Sequence, residues 1–119
     1  MKIKIQSGID IVKISRIHSI LNSEKRNRFI KKIFTDNEVL QSKEKSDEVL
    51  YFSGRFAAKE ALKKAFSNTF YPSHFKSFEI LADKNGKPNV FFEKKIIENT
   101  SLSISHDGNY AVAHCVSIL

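Results

Sequence analysis

The sequence is poor in the residues that mark special classes of chain. Its 119 residues include no Trp, one Met, one Cys, two Pro and four Gly. The single cysteine, Cys115, excludes an intrachain disulfide and any Cys-based zinc cluster, and it fits a reducing compartment. So little Pro and Gly excludes collagen-like and low-complexity chains, and 41% hydrophobic residues exclude a disordered one. No apolar run approaches the roughly 18 residues that a membrane helix needs. The opening Met1-Lys2-Ile3-Lys4-Ile5 carries charge but no apolar stretch of the signal-peptide kind, so none is expected. The length suits one domain over residues 1–119, which would bury about two-thirds of its unfolded surface. A small cytoplasmic globular protein is expected.

Acidic residues are also scarce, but only locally. Residues 1–34 carry nine Lys/Arg against Asp10 and Glu24, whereas residues 35–119 carry 11 of each sign. The formal charge of +7 therefore belongs to the N-terminal third. A general preference for lysine would spread over the chain. Its concentration suggests one surface built to meet an anionic partner.

Apolar periodicity supplies the elements. Ile3, Ile5, Ile9, Ile11 and Val12 suggest an opening strand interrupted at Gly8. Helical spacing follows at Ile17, Ile20 and Leu21. A second helix over 24–34 places Phe29, Ile30 and Ile33 inward and Arg28, Lys31 and Lys32 outward. Thr35 and Glu38 have capping-box form, so a short helix should run to about Lys43. Ser46 or Asp47 caps the clearest helix, reaching about Phe66, with Leu50, Ala57, Ala61, Leu62 and Ala65 on its buried side. After an irregular stretch, 68–77, Phe78, Ile80 and Ala82 alternate with polar neighbours. Asn85-Gly86 and Asp107-Gly108 are hairpin turn signals. A short helix is expected near 94–99. Residues 110–116 read as a central strand buried on both faces. The class is α+β, an antiparallel sheet packed against a long central helix.

The segment with most chemistry runs from Gly54 to Phe66. On a helix, Arg55, Lys59 and Lys63 follow an i, i+4, i+8 line, with Glu60 beside it and Lys64 one turn beyond. A carboxylate ringed by cations suits a metal-bridged polyphosphate: the acid holds Mg²⁺ and the cations take phosphate oxygens. On pattern alone, an ordinary solvated face with i, i+4 ion pairs is the simpler reading. Asp10 shifts the balance, because a carboxylate inside an apolar strand needs a metal, a cation or a hydrogen-bond donor. Asp10 and Glu60 together can offer two oxygen ligands to one Mg²⁺. His106 ends a strand at a turn, where it can face a cleft or lie on the surface. His18, His74 and His114 show no ligand spacing, and Cys115 reads as core.

Four blocks recur in one known family. Gly8-Ile9-Asp10-Ile11-Val12, the Gly54-Arg55-Phe56-Ala57-Ala58-Lys59-Glu60-Ala61 run, Asn85-Gly86-Lys87-Pro88, and Ser103-Ile104-Ser105-His106-Asp107-Gly108 resemble the holo-[acyl-carrier-protein] synthases. These are the small bacterial 4′-phosphopantetheinyl transferases. The resemblance covers essentially the whole chain and implies the 4′-phosphopantetheinyl transferase-like fold. It also implies transfer of phosphopantetheine from coenzyme A to a serine of apo acyl carrier protein, for fatty acid biosynthesis, releasing adenosine 3′,5′-bisphosphate. Carried over by position, Asp10 and Glu60 are the expected Mg²⁺ ligands, with Glu60 or a metal-bound water the candidate base. Lys64 faces the pyrophosphate. Arg55 and His106 meet the 3′-phosphate end of coenzyme A, Lys59 joins this binding set, and Gly86, Lys87 and Pro88 form the adenine-side loop. Arg16, Arg28 and Lys32 fall where the family presents basic residues to the acidic carrier. A homotrimer with active sites between subunits is implied as well. One departure stands out: Ser67-Asn68-Thr69-Phe70 occupies a place where the family commonly has glycines.

Two other readings compete. Ten Phe, three Tyr and the basic third would suit a small RNA-binding module without catalysis. Against it, no strand interleaves aromatics with basic residues, so no nucleic-acid partner is expected. A Mg²⁺-dependent nucleotide hydrolase would need no carrier at all.

Overall fold

The computed structural model describes residues 2–70 and 73–118; Tyr71 and Pro72, inside the expected irregular stretch, lie outside the described residues. The chain opens with β1 (Ile5–Lys13) and runs directly into α1 (Ile14–Leu21). The backbone of Asn109 accepts the Ile14 N–H at 2.8 Å, and its side chain accepts that of Ser15 at 2.9 Å. α2 (Arg26–Ile33) follows, and the Arg26 guanidinium pairs with Glu48 at the head of the long helix. α3 (Asp36–Ser42) starts with the expected capping box: Thr35 Oγ1 accepts from Glu38 N, and Glu38 Oε1 accepts from Thr35 N. α4 (Glu48–Ala65) is capped by Asp47, which accepts from Leu50 N at 3.0 Å. Leu50 itself is only half-buried.

A 3₁₀ turn (Phe75–Ser77) leads to β2 (Phe78–Ala82), β3 (Pro88–Phe92), β4 (Lys95–Ile96), β5 (Thr100–Asp107) and β6 (Tyr110–Ile118). They form two antiparallel sheets, ordered β1-β6-β5 and β2-β3-β4. Both expected glycine turns form, with Gly86 and Gly108 at φ of 84° and 56°. The expected helix near 94–99 does not. Glu93 and Lys94 take φ of 49° and 69° and reverse the chain into β4 within two residues.

β1 is also unbroken at Gly8, contrary to the expected interruption. Here β1 crosses α4 so closely that a Cβ on Gly8 would lie 2.0 Å from the Ala61 carbonyl oxygen and 2.8 Å from Ala65 N. Glycine is required by backbone contact, and the alanines of α4 permit it. The core is one cluster around α4. It includes Phe34, Phe52, Phe66 and Phe78, each almost fully buried.

β6 is central, as expected, but buried on one face only. Ala111, Ala113, Cys115 and Ser117 lie under α4, and burial pushes the Cys115 thiol up to about 11. The opposite face carries Val112, His114 and Val116. With Ile5, Ile9, Ile11, Tyr110 and Ile118, each between 45% and 66% exposed, it forms an apolar face open to solvent. Isolated exposed side chains are ordinary, but a contiguous set across neighbouring strands is the mark of an interface. Among the described residues, no helix is long and apolar enough to cross a membrane.

Candidate active site

The crossing of β1 over α4 sets the first half of the site. Period-two alternation turns Gln6, Gly8, Asp10 and Val12 toward α4, and Ile9 and Ile11 away from it. The Asp10 side chain is 19% exposed, and Lys64 Nζ donates to its Oδ1 at 3.2 Å and to the Ile9 carbonyl at 2.9 Å. Glu60, half-buried, lies one helical turn before Lys64, so the two share an edge of α4. Asp10 and Lys64 line a cavity of about 320 Å³ with Ile9, Ile11 and Val112. The acid and its lysine therefore border the open apolar face.

Arg55 sets the second half. Its guanidinium lies 5.0 Å from the centre of the Tyr51 ring, and its Nε is buried without a hydrogen-bond partner among the described residues. Burial raises the Tyr51 phenol above its usual value, and the Arg55 charge opposes this. Arg55 lines a cavity of about 290 Å³ with Lys45, Ser46, Leu50, Tyr51 and Gly86. The β2–β3 turn reaches it because Asp83 Oδ1 accepts from Asn85 N and Lys87 N, which braces the loop. Lys87 is exposed, Pro88 begins β3, and His106 is exposed at the end of β5, outside the lining of this cavity.

The two halves do not face each other within one subunit. Nine residues separate Arg55 from Lys64, which at 3.6 residues per turn is a rotation of about 180° around α4. The expected ring of cations about Glu60 is accordingly absent. Lys63 lies 4.2 Å from the centre of the Phe75 ring, and Lys59 points elsewhere altogether.

The expectation that Lys59 binds coenzyme A is corrected. Its side chain is 0% exposed. Nζ lies 2.7 Å from Glu38 Oε1, itself 0% exposed, and donates to the carbonyls of Ile33, Phe75 and Phe78 at 3.1, 3.0 and 2.6 Å. Burial lowers the Lys59 ammonium below the ordinary lysine value, and the Glu38 carboxylate opposes that shift. Glu38 Oε2 accepts from Ile80 N at 2.8 Å, and the Gln41 amide exchanges two 3.0 Å bonds with the backbone of Ala82. Lys59, Glu38 and Gln41 thus satisfy the free edge of β2 as a neighbouring strand would. The sequence signalled Glu38 only as a capping residue, because nothing local tells an acid at N3 that a lysine 21 positions later will reach it.

All three expected docking residues meet in one place. Arg16, Arg28 and Lys32 rim a groove of about 300 Å³ floored by Phe29, Phe56 and Phe75. The Arg16 guanidinium lies 5.9 Å from the centre of the Phe56 ring. The Ser67–Phe70 segment is fastened too. Phe70 stacks on Phe92 with ring centres 3.9 Å apart, and Thr69 Oγ1 donates to Gln6 Oε1 at 3.0 Å.

This arrangement has relatives. Residues 6–115 match the family model of the 4′-phosphopantetheinyl transferase superfamily. The chain belongs to that superfamily. It is 39% identical over 111 residues to a holo-[acyl-carrier-protein] synthase of Oceanobacillus iheyensis, with 92% of each chain covered. The corresponding synthase of Finegoldia magna is 38% identical over 120 residues, covering 98% of this chain and 97% of its own. Among solved structures, the holo-(acyl-carrier-protein) synthase of Bacillus anthracis in complex with CoA (3′,5′-ADP) superposes with a TM-score of 0.77 at 32% identity, covering 95% of each chain. The chain is an enzyme of the phosphopantetheinyl transferase class, and its α+β fold is that of these synthases.

The residues present also fit a magnesium ion. Among the described residues there is no group of three or more His, Cys, Asp or Glu side chains able to hold a metal. The Asp10 carboxylate on β1 and the Glu60 carboxylate on α4 are hard oxygen donors of the kind that Mg²⁺ takes one or two at a time.

Proposed function

We propose that this enzyme transfers 4′-phosphopantetheine from coenzyme A to a serine of apo acyl carrier protein in the cytoplasm, in a Mg²⁺-dependent reaction serving fatty acid biosynthesis. The single domain spans residues 1–119 and works as a homotrimer with active sites between subunits. The observation that carries this reading is the half-turn between Arg55 and Lys64. One coenzyme can reach both a phosphate clamp and an acid–lysine pair on opposite sides of α4 only if two copies contribute. The apolar face beside Asp10 is where a second copy fits, since Ile9, Ile11 and Val112 line the same cavity as the acid.

In this assembly Arg55, with its unpartnered Nε, holds the 3′-phosphate, and Gly86, Lys87 and Pro88 flank the adenine. His106, outside the lining of the Arg55 cavity, completes the phosphate site. Asp10 and Glu60 would hold Mg²⁺, and the ion would supply positive charge to the pyrophosphate oxygens. Lys64 stabilises the departing adenosine 3′,5′-bisphosphate. The carrier serine, delivered by docking at the Arg16–Arg28–Lys32 groove, attacks the β-phosphate in line. Either Glu60, one helical turn before Lys64, or a water molecule accepts the serine proton.

The decisive experiment incubates the protein with coenzyme A, Mg²⁺ and apo acyl carrier protein and weighs the carrier. The expected result is the mass gain of phosphopantetheine. Asp10→Asn and Glu60→Gln should each abolish it while leaving circular dichroism unchanged. Near-normal turnover by either variant at ordinary Mg²⁺ would remove that residue from the metal site.

A further inference from the structure

We propose that Lys64 is a resident counter-ion of Asp10 that holds metal affinity low in the free enzyme and leaves when coenzyme A arrives. This rests on the reading of Asp10 as a metal ligand. A carboxylate only 19% exposed needs a cation, and Lys64 supplies one from an otherwise accessible position, its own side chain being 55% exposed. The ammonium occupies Oδ1 of Asp10 at 3.2 Å and is steadied by the Ile9 carbonyl at 2.9 Å. A Mg²⁺ ion binds carboxylate oxygens at about 2.0–2.1 Å. A cation held at Oδ1 repels a second cation brought to either oxygen of the same carboxylate, so metal binding is weakened until the lysine lets go.

The lysine has somewhere to go. Its flexible four-carbon stem carries a compact charge with three donors. Bound pyrophosphate would offer oxygens within reach of the same helical edge. In the free enzyme the departing ammonium exchanges two contacts for water alone. With coenzyme A present it exchanges a carboxylate and a carbonyl for phosphate. Metal and coenzyme A therefore bind with positive coupling, and part of that coupling is the displacement of Lys64. Coupling is reciprocal, so Mg²⁺ strengthens coenzyme A binding by the same factor.

The test is a Mn²⁺ titration of the full-length protein, read by the electron paramagnetic resonance of the free ion, with and without coenzyme A. It compares wild type with Lys64→Met, Lys64→Arg and Asp10→Asn. An exposed ion pair contributes modestly, so removing the charge should tighten Mn²⁺ binding to the coenzyme-free protein about threefold to fivefold. Lys64→Arg keeps a cation and should bind Mn²⁺ as wild type does. With coenzyme A present the advantage of Lys64→Met should vanish, so its coupling factor is smaller than that of wild type. Unchanged or weaker Mn²⁺ binding by Lys64→Met without coenzyme A overturns the proposal. Failure of the underlying reading looks different: Asp10→Asn would then bind Mn²⁺ as wild type does. No Mn²⁺ uptake by wild type or Lys64→Met at millimolar metal overturns both.

Discussion

Replacing Lys59 by Met separates a coenzyme-binding lysine from a buried strut. Four acceptors converge on its Nζ: Glu38 Oε1 and the carbonyls of Ile33, Phe75 and Phe78. Methionine fills similar volume but leaves the carboxylate without its cation and the three carbonyls without a donor. Breaking a fully buried pair in this way costs about 3–5 kcal/mol. A domain has a total stability of about 5–15 kcal/mol, so the variant should lose about a fifth or more. The melting temperature should fall by about 12–20 °C. Glu38→Gln leaves the three carbonyls in place around the ammonium and should cost less. The double variant should cost at least about 1 kcal/mol less than the sum of the single ones, because the two residues share one interaction. The assay is urea unfolding by far-ultraviolet circular dichroism, at one protein concentration since an oligomer's stability depends on it.

The pH dependence has a definite sign. Burial holds the Lys59 ammonium below the ordinary lysine value, so between those two values the unfolded chain binds more protons. Stability therefore rises with pH across that alkaline window. Glu38→Gln removes the carboxylate that opposes the shift, so the window should widen toward neutrality. Stability within about 1 kcal/mol of wild type for Lys59→Met, together with weakened coenzyme A binding, would refute the strut and restore the lysine to the coenzyme.

Three further outcomes are expected. Arg55→Ala and Asp10→Asn variants, each inactive alone, should recover up to about a quarter of wild-type activity when unfolded and refolded together, since random trimers rebuild that fraction of shared sites; no recovery would place each site within one subunit. Gly8→Ala should destabilise by several kcal/mol on chemical unfolding, because the added Cβ meets the Ala61 and Ala65 backbone and neither atom can move aside. Arg28→Glu with Lys32→Glu should raise KM for the carrier and leave coenzyme A binding unchanged, and wild-type KM for the carrier should rise with salt more steeply than the variant's.

Local rules recovered most of the helices, for physical reasons. The Thr35–Glu38 capping box, the Asp47 cap and the two glycine turns are written within a few residues, and each formed. The short helix at 94–99 failed because a reversal at two non-glycine residues has no local signal at Glu93-Lys94. Long-range placement was less legible. Arg16, Arg28 and Lys32 share a groove because α1 and α2 pack at an angle that charge counting cannot reveal. Lys59 looked like Arg55 and Lys63 by spacing and lies between them around α4, yet Glu38 and the carbonyls of Ile33, Phe75 and Phe78 cover its turn of the helix, and no local pattern announces that cover. Alternation on β6 was hidden because Ala, Cys and Val read alike as apolar, although Val112 and Val116 face away from α4.

The pairing of β1 has a consequence for how the chain is made. Its only partner among the described strands is β6, with Ile5 opposite Ile118, so β1 waits until all the described strands between them have been made. Contacts so distant in sequence slow folding, and a waiting strand with isoleucines on one face is open to wrong registers. Gly8 answers that hazard. A slip of one residue would bring Ser7 or Ile9 to the helix crossing, where any side chain collides with the Ala61 carbonyl. An arrangement misaligned by one residue is thereby disfavoured, and the smallest residue in the strand acts as its proofreader.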